Sequence, residues 1–191
     1  MSQKKGFTLI ELIIVIALIA ILATTVILVI NPVKIFQEAR DSQRIADLGQ
    51  MNSALSLLVS SYSSASLGTS GNCYMKDYGA MSLKCNARYT MASATSVTST
   101  SQAVSGSGWV PVDLTQTTSG ASIAAWPIDP KGATTTGLFY SYVPTSSSTW
   151  EFAARMESSR YKQGGSEDVE STDGGNVSTL FEVGSGVTDV N

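Results

Sequence analysis

Residues 12–30 read LIIVIALIAILATTVILVI, a run without a charge, a glycine or a proline. A helix rises about 1.5 Å per residue, so a stretch of this length crosses a hydrocarbon core roughly 30 Å thick. It is longer than the apolar region of a typical secretory signal, and no small-residue cleavage site follows it. Lys4 and Lys5 stand before the run and no lysine or arginine follows until Lys34. That asymmetry puts the N-terminus in the cytoplasm and the rest of the chain outside. Glu11 breaks the pattern at the head of the run. A carboxylate in apolar surroundings is costly, and a plain anchor has no use for one. Glu11 therefore needs a partner.

The remaining composition narrows the classes. A chain of 191 residues holds one globular domain and a long helix. Its net charge is −3 and only 14% of its residues are charged, so it lacks the basic field of a nucleic-acid binder. It contains no histidine, which excludes Ser-His-Asp and Cys-His nucleophiles and histidine-bearing zinc sites. Cys73 and Cys85 both follow the apolar run and so share one compartment. Outside the cytoplasm they are expected to form a disulfide, which would close a short loop and add roughly 2–4 kcal/mol. The alternative is a pair of buried thiols.

The heptapeptide at residues 5–11, KGFTLIE, with the unbroken apolar run behind it, resembles the N-terminal signal of type IV pilins and type II secretion pseudopilins. The resemblance implies cleavage between Gly6 and Phe7 by a prepilin peptidase, N-methylation of Phe7, and Glu11 as the family's glutamate at the fifth mature position. The chemistry agrees with that assignment. Gly6 carries no side chain to block a protease. Cleavage creates a cationic amine on Phe7, and Glu11 lies one helical turn away. Its carboxylate can offset that amine, the helix dipole, or the amine of a neighbouring copy.

Helical periodicity continues beyond the membrane. Leu48, Met51, Leu55, Leu58 and Tyr62 recur at spacings of three or four and mark one apolar face. Asp41–Arg44 and Arg44–Asp47 have the i,i+3 spacing of ion pairs. Helix is thus expected from Phe7 to about Tyr62, interrupted at Asn31-Pro32. Either the helix kinks there, or two helices meet with Asn31 as the N-cap of the second. Filament pilins often carry a proline near this depth, and here it lies a few residues later. The apolar face is too short for a confident coiled coil and is expected to pack on the C-terminal domain.

Residues 63–108 are rich in Ser and Thr, and 93–101 (SATSVTSTS) is low in complexity. This region is expected to form an αβ-loop containing the two cysteines, with 93–101 as loop, weakly ordered strand or surface decoration. Strands are expected at 138–143, 150–156 and 177–183. In the second, Trp150, Phe152, Ala154 and Met156 face the core, while Glu151, Ala153 and Arg155 face water. Residues 125–131 (AWPIDPK) with Tyr140-Ser-Tyr142 resemble the G-type major pseudopilin, or else form two rigid turns at Trp126-Pro127 and Asp129-Pro130 over a sheet edge. Glu167, Asp168 and Asp173 are weak calcium candidates by comparison with that group. No other cofactor is expected.

The fold class expected is α+β, the pilin fold: a long N-terminal helix packed on a small antiparallel sheet. Residues 1–6 form the leader, 7–30 the transmembrane and assembly helix, 31–62 its amphipathic second half, and 109–191 the sheet and C-terminal loop. The function implied is that of a structural subunit of a type IV pilus-like filament. Alternatives are a G-type secretion pseudopilin and, more distantly, a DNA-uptake minor pilin. The chain is not expected to be an enzyme. Implied partners are copies of itself, the prepilin peptidase, an assembly ATPase, an inner-membrane platform protein and the membrane, with no nucleic acid. Before assembly the chain would be a single-pass inner-membrane protein; afterwards it would lie in an extracellular or periplasmic filament.

Overall fold

A computed structural model describes residues 6–79, 95–132, 136–145 and 148–186. Two compact units divide the chain, residues 1–37 and residues 38–191. The first contains α1, Leu9–Ile30. From Leu9 to Ile27 none of its length is buried, and Leu9, Ile13, Leu18 and Leu22 all point into open space. Leu and Ile favour helix by propensity or tolerate it, and nothing in the run breaks it. Its two hydroxyls are satisfied internally: Thr24 donates to the Ile21 carbonyl at 2.8 Å and Thr25 to that of Leu22 at 2.8 Å. That is what a polar side chain requires where no water is present.

The interruption at Asn31-Pro32 produces two helices. Asn31 is left-handed (φ 43°, ψ 79°) and closes α1, a conformation that asparagine tolerates better than most residues. Pro32 then opens α2, Pro32–Ser61, at the position where a missing N–H costs nothing. The carbonyl of Asn31 accepts from Lys34 N–H at 3.0 Å.

In the second unit, α2 buries Leu48, Met51, Ala54, Leu55 and Leu58 along one stripe. Tyr62, expected as the last member of that stripe, lies beyond the helix end and is exposed. The stripe packs on a five-stranded sheet built from β1 (Cys73–Lys76), β2 (Ser96–Ser99), β3 (Ser141–Pro144), β4 (Trp150–Ala154) and β5 (Phe181–Gly184). The strand order is β2-β1-β3-β4-β5. Only the β1–β2 pair is parallel. The class is therefore α+β, with one parallel pair added to an antiparallel sheet. β1 comes from the segment expected as an αβ-loop, and β2 is the strand alternative within 93–101.

Three aromatic rings fix the register across the central strands. Tyr74 lies opposite Tyr142, and Tyr142 opposite Phe152. Their ring centroids are 6.0 Å and 4.9 Å apart. Such cross-strand pairs add about 0.5–1.5 kcal/mol each beyond the area they bury. Trp126 packs on Phe152 from outside the sheet, with ring centroids 6.4 Å apart.

The expectation of a wet sheet face is corrected by the structure. All five residues of β4 are buried, Glu151 and Ala153 included. A second apolar cluster of Cys73, Met75, Phe139, Val143, Ala153 and Leu180 covers the face turned away from α2. Alternation in β4 alone could not reveal this, because the cover comes from residues distant in sequence. Strand boundaries shift as well. The third expected strand begins only at Phe181, since Val177–Leu180 forms a turn closed by Leu180 N–H to the Val177 carbonyl at 2.9 Å.

A buried ion network ties α2 to two segments of the sheet domain. The fully buried Arg44 donates to Asp41 at 2.7 Å, to both oxygens of Asp129 at 2.7 and 2.9 Å, and to Glu157 at 2.9 Å. Arg40 grips Glu157 through two bonds of 2.8 and 2.7 Å, and Lys131 adds a third cation at 3.3 Å. Asp41 also accepts the backbone N–H groups of Glu157 and Ser158. Three cations thus meet three carboxylates. The expected Arg44–Asp47 pair is not made; Asp47 accepts the Tyr140 hydroxyl at 2.7 Å instead.

The network has a signature in pH. The hydrogen bond from Arg40, with help from Arg44 and Lys131, lowers the Glu157 carboxyl from 4.5 to about 2 against the opposing effect of burial. Its stabilisation is present above pH 4.5 and is lost as pH falls through about 2. Burial raises Asp47, Glu170, Asp173 and Glu182 above their ordinary values. Those groups favour the fold at low pH and weaken it as pH rises through their folded values. Stability is therefore expected to be lost as pH falls from 4.5 through about 2, and to be lost again as pH rises through the raised folded values of the four buried groups. Glu157→Gln should shrink the acid limb, to which the lowered carboxyls of Asp113 and Asp168 also contribute; an acid limb unchanged in that variant would refute the assignment.

Candidate functional site

The segment that carries the implied chemistry lies at the start of the first unit. Gly6 and Phe7 are both exposed, and Phe7 shows 81% of its surface. A side chain at Gly6 would meet nothing within 4 Å, so the backbone on either side of the Gly6–Phe7 bond is open to approach. Helix α1 begins at Leu9, two residues later than expected, because Thr8 takes the N-cap position with extended backbone (φ −82°, ψ 151°). Its hydroxyl accepts from Glu11 N–H at 3.3 Å. The Glu11 carboxylate returns the interaction, accepting from Thr8 N–H at 3.0 Å and from the Thr8 hydroxyl at 2.9 Å.

This reciprocal arrangement is a capping box. It satisfies two N–H groups that a helix leaves orphaned, and it places a negative charge against the positive end of the helix dipole. Thr8 is a member of this candidate site that sequence reasoning missed. A Ser or Thr three residues before an acid, just ahead of an apolar run, would have found it. With the Gly6–Phe7 peptide bond intact, Phe7 carries an amide rather than an amine. The Phe7–Glu11 charge pair can therefore form only after cleavage.

The prokaryotic N-terminal methylation motif matches this chain over residues 1–27. That motif supports a type IV pilin-like or pseudopilin precursor. No curated protein and no solved structure matches it. The motif of the precursor implies processing by a prepilin peptidase and assembly into a filament, and α1 fits a membrane-anchored form before assembly. The match ends at residue 27, so the G-type likeness of residues 125–131 and 140–142 falls outside it.

Other candidate residues of the precursor take structural places. Cys73 is buried at the start of β1, and Cys85, its expected disulfide partner, lies outside the described residues. Trp126 is in the core rather than over a sheet edge, and Asp129 serves Arg44 and caps the turn at Lys131 and Gly132. The calcium candidates do not converge. Glu167 pairs with Arg160. Asp168 accepts from Gly164 and Ser171, and Asp173 from Gly175 and Glu182. Among the described residues no group of three carboxylate, cysteine or histidine side chains could hold a metal.

Proposed function

We propose that the mature chain is a structural subunit of a type IV pilus-like filament, and that it turns over no substrate. The observation that carries this reading is α1: an apolar helix with no buried side, led by the processing motif. A helix apolar all round needs lipid or other helices around it. Before assembly the bilayer supplies that environment, with the N-terminus in the cytoplasm. After assembly the helices of neighbouring copies supply it.

Cleavage between Gly6 and Phe7 places a cation one residue from the capping box. The Glu11 carboxylate already faces the Thr8 N–H, so the new amine appears beside an acceptor fixed in place. Glu11 then offsets the Phe7 amine of its own chain or that of the next subunit, which sets the register as each copy enters. An assembly ATPase and an inner-membrane platform protein would drive and guide insertion. The downstream domain is acidic overall, which argues against a nucleic-acid ligand.

Mass spectrometry of filaments sheared from the cell surface tests this reading. The expected N-terminal peptide begins at Phe7 and carries one added methyl group on its amine. Recovery of the chain only with an intact Met1 or Ser2 start, or only in membranes and never in fibres, would overturn it.

A further inference from the structure

An open recess of about 330 Å³ in the second unit is lined by Arg155, Lys162, Gln163, Glu170 and Thr179. Its volume lies at the small end of the range for ligand sites. Arg155 directly follows β4, Thr179 precedes β5, and the buried Glu170 is fixed in place by accepting Met156 N–H at 2.9 Å and Gln163 N–H at 3.1 Å.

Its charge is unbalanced. Arg155 and Lys162 both act electrostatically on Glu170, yet neither side chain makes an ion pair or hydrogen bond among the described residues. Elsewhere in this domain Arg40, Arg44 and Arg160 are all paired. Two cations thus share one carboxylate that is already occupied by backbone donors. We propose that this recess binds a small hydroxy-carboxylate, specifically a uronic-acid type of acidic sugar.

The donor and acceptor set fits that class. A guanidinium receives a carboxylate through two parallel bonds, and an ammonium adds a second positive charge. Each Glu170 oxygen has a lone pair left after its backbone bond and can accept a sugar hydroxyl. The Gln163 amide and the Thr179 hydroxyl, which also line the recess, provide further donors and acceptors. A simple anion would leave the acceptors unused, and a neutral sugar would leave both cations unmatched.

Ligand-observed saturation-transfer NMR on the full chain in nonionic detergent tests the assignment, with D-glucuronate, D-glucose and acetate as probes and inorganic phosphate as a competitor of the glucuronate signal. Glucuronate is expected to bind with a dissociation constant in the roughly millimolar range. Glucose and acetate should each bind at least about tenfold more weakly. The double variant Arg155→Gln/Lys162→Gln should lose at least about tenfold in glucuronate affinity while keeping its melting transition. Should that variant fail to fold, Lys162→Gln and Thr179→Ala, both at exposed positions, carry the test with an expected loss of about threefold each. The proposal is overturned if glucuronate gives no transfer at about 50 mM, if the variants bind it unchanged, or if phosphate or acetate binds as tightly as glucuronate.

Discussion

Replacing Arg44 with leucine is expected to cost roughly 3–5 kcal/mol, the penalty for leaving buried charge uncompensated. The side chain is fully buried, and its loss would leave Asp41, Asp129 and Glu157 facing one another without their central cation. Burial opposes the charge on Arg44, yet its hydrogen bonds to Asp129, Glu157 and Asp41 outweigh that and raise its pKa above the ordinary arginine value. For a domain of this size each kcal/mol is worth about 2–4 °C, so a fall of at least about 6 °C in melting temperature is expected by circular dichroism. Arg40→Leu is the comparison. Arg40 is partly exposed and grips only Glu157, which keeps Arg44 and Lys131 as partners. It should cost about 1 kcal/mol or less. Equal losses in the two variants would contradict the placement of Arg44 at the centre.

Glu11→Leu is expected to reduce surface filaments at least about tenfold, because the Phe7 amine made by cleavage would then enter the helix bundle without a counter-charge. The precursor should still insert in the membrane and still be cut before Phe7, since α1 and the leader are unchanged. Quantifying sheared fibres alongside processed chain in the membrane separates assembly from processing. Thr8→Val removes the hydroxyl but leaves Glu11 its charge and the Thr8 backbone N–H as donor. Its filament yield should fall by only about twofold to threefold, in keeping with the smaller worth of a helix cap. Normal fibres from Glu11→Leu would remove the proposed role of the carboxylate.

Local signals were readable wherever the cause of the structure is local. The apolar run announces α1 because hydrophobicity and length alone decide it. The stripe at Leu48, Met51, Leu55 and Leu58 announces the buried face of α2 because helix geometry puts those residues in line. Asp41 and Arg44 could be paired by spacing, but Asp129 and Glu157 reach Arg44 from 85 and 113 residues away. No periodicity encodes such a meeting. The same limit explains Glu151 and Ala153. Their alternation with Trp150 and Phe152 is real, and the face they occupy is buried because Met75, Phe139 and Leu180 arrive from elsewhere. At the candidate site the spacing of Gly6, Phe7 and Glu11 was legible, and the Thr8 cap was overlooked although its signal is equally local. The polar recess was not legible at all, since its five lining residues are brought together by turns.

A sheet clothed on both faces has only its rims to offer to strangers. Among the described residues those rims are β2 and β5, each four residues long. One is composed of serine, valine and threonine, and the other ends in glycine. Short borders of this kind make poor templates for a foreign strand. When many copies crowd together at high local concentration, contacts between neighbouring globular domains are therefore left to turns and side chains, and the domains stay discrete instead of fusing into a continuous ribbon.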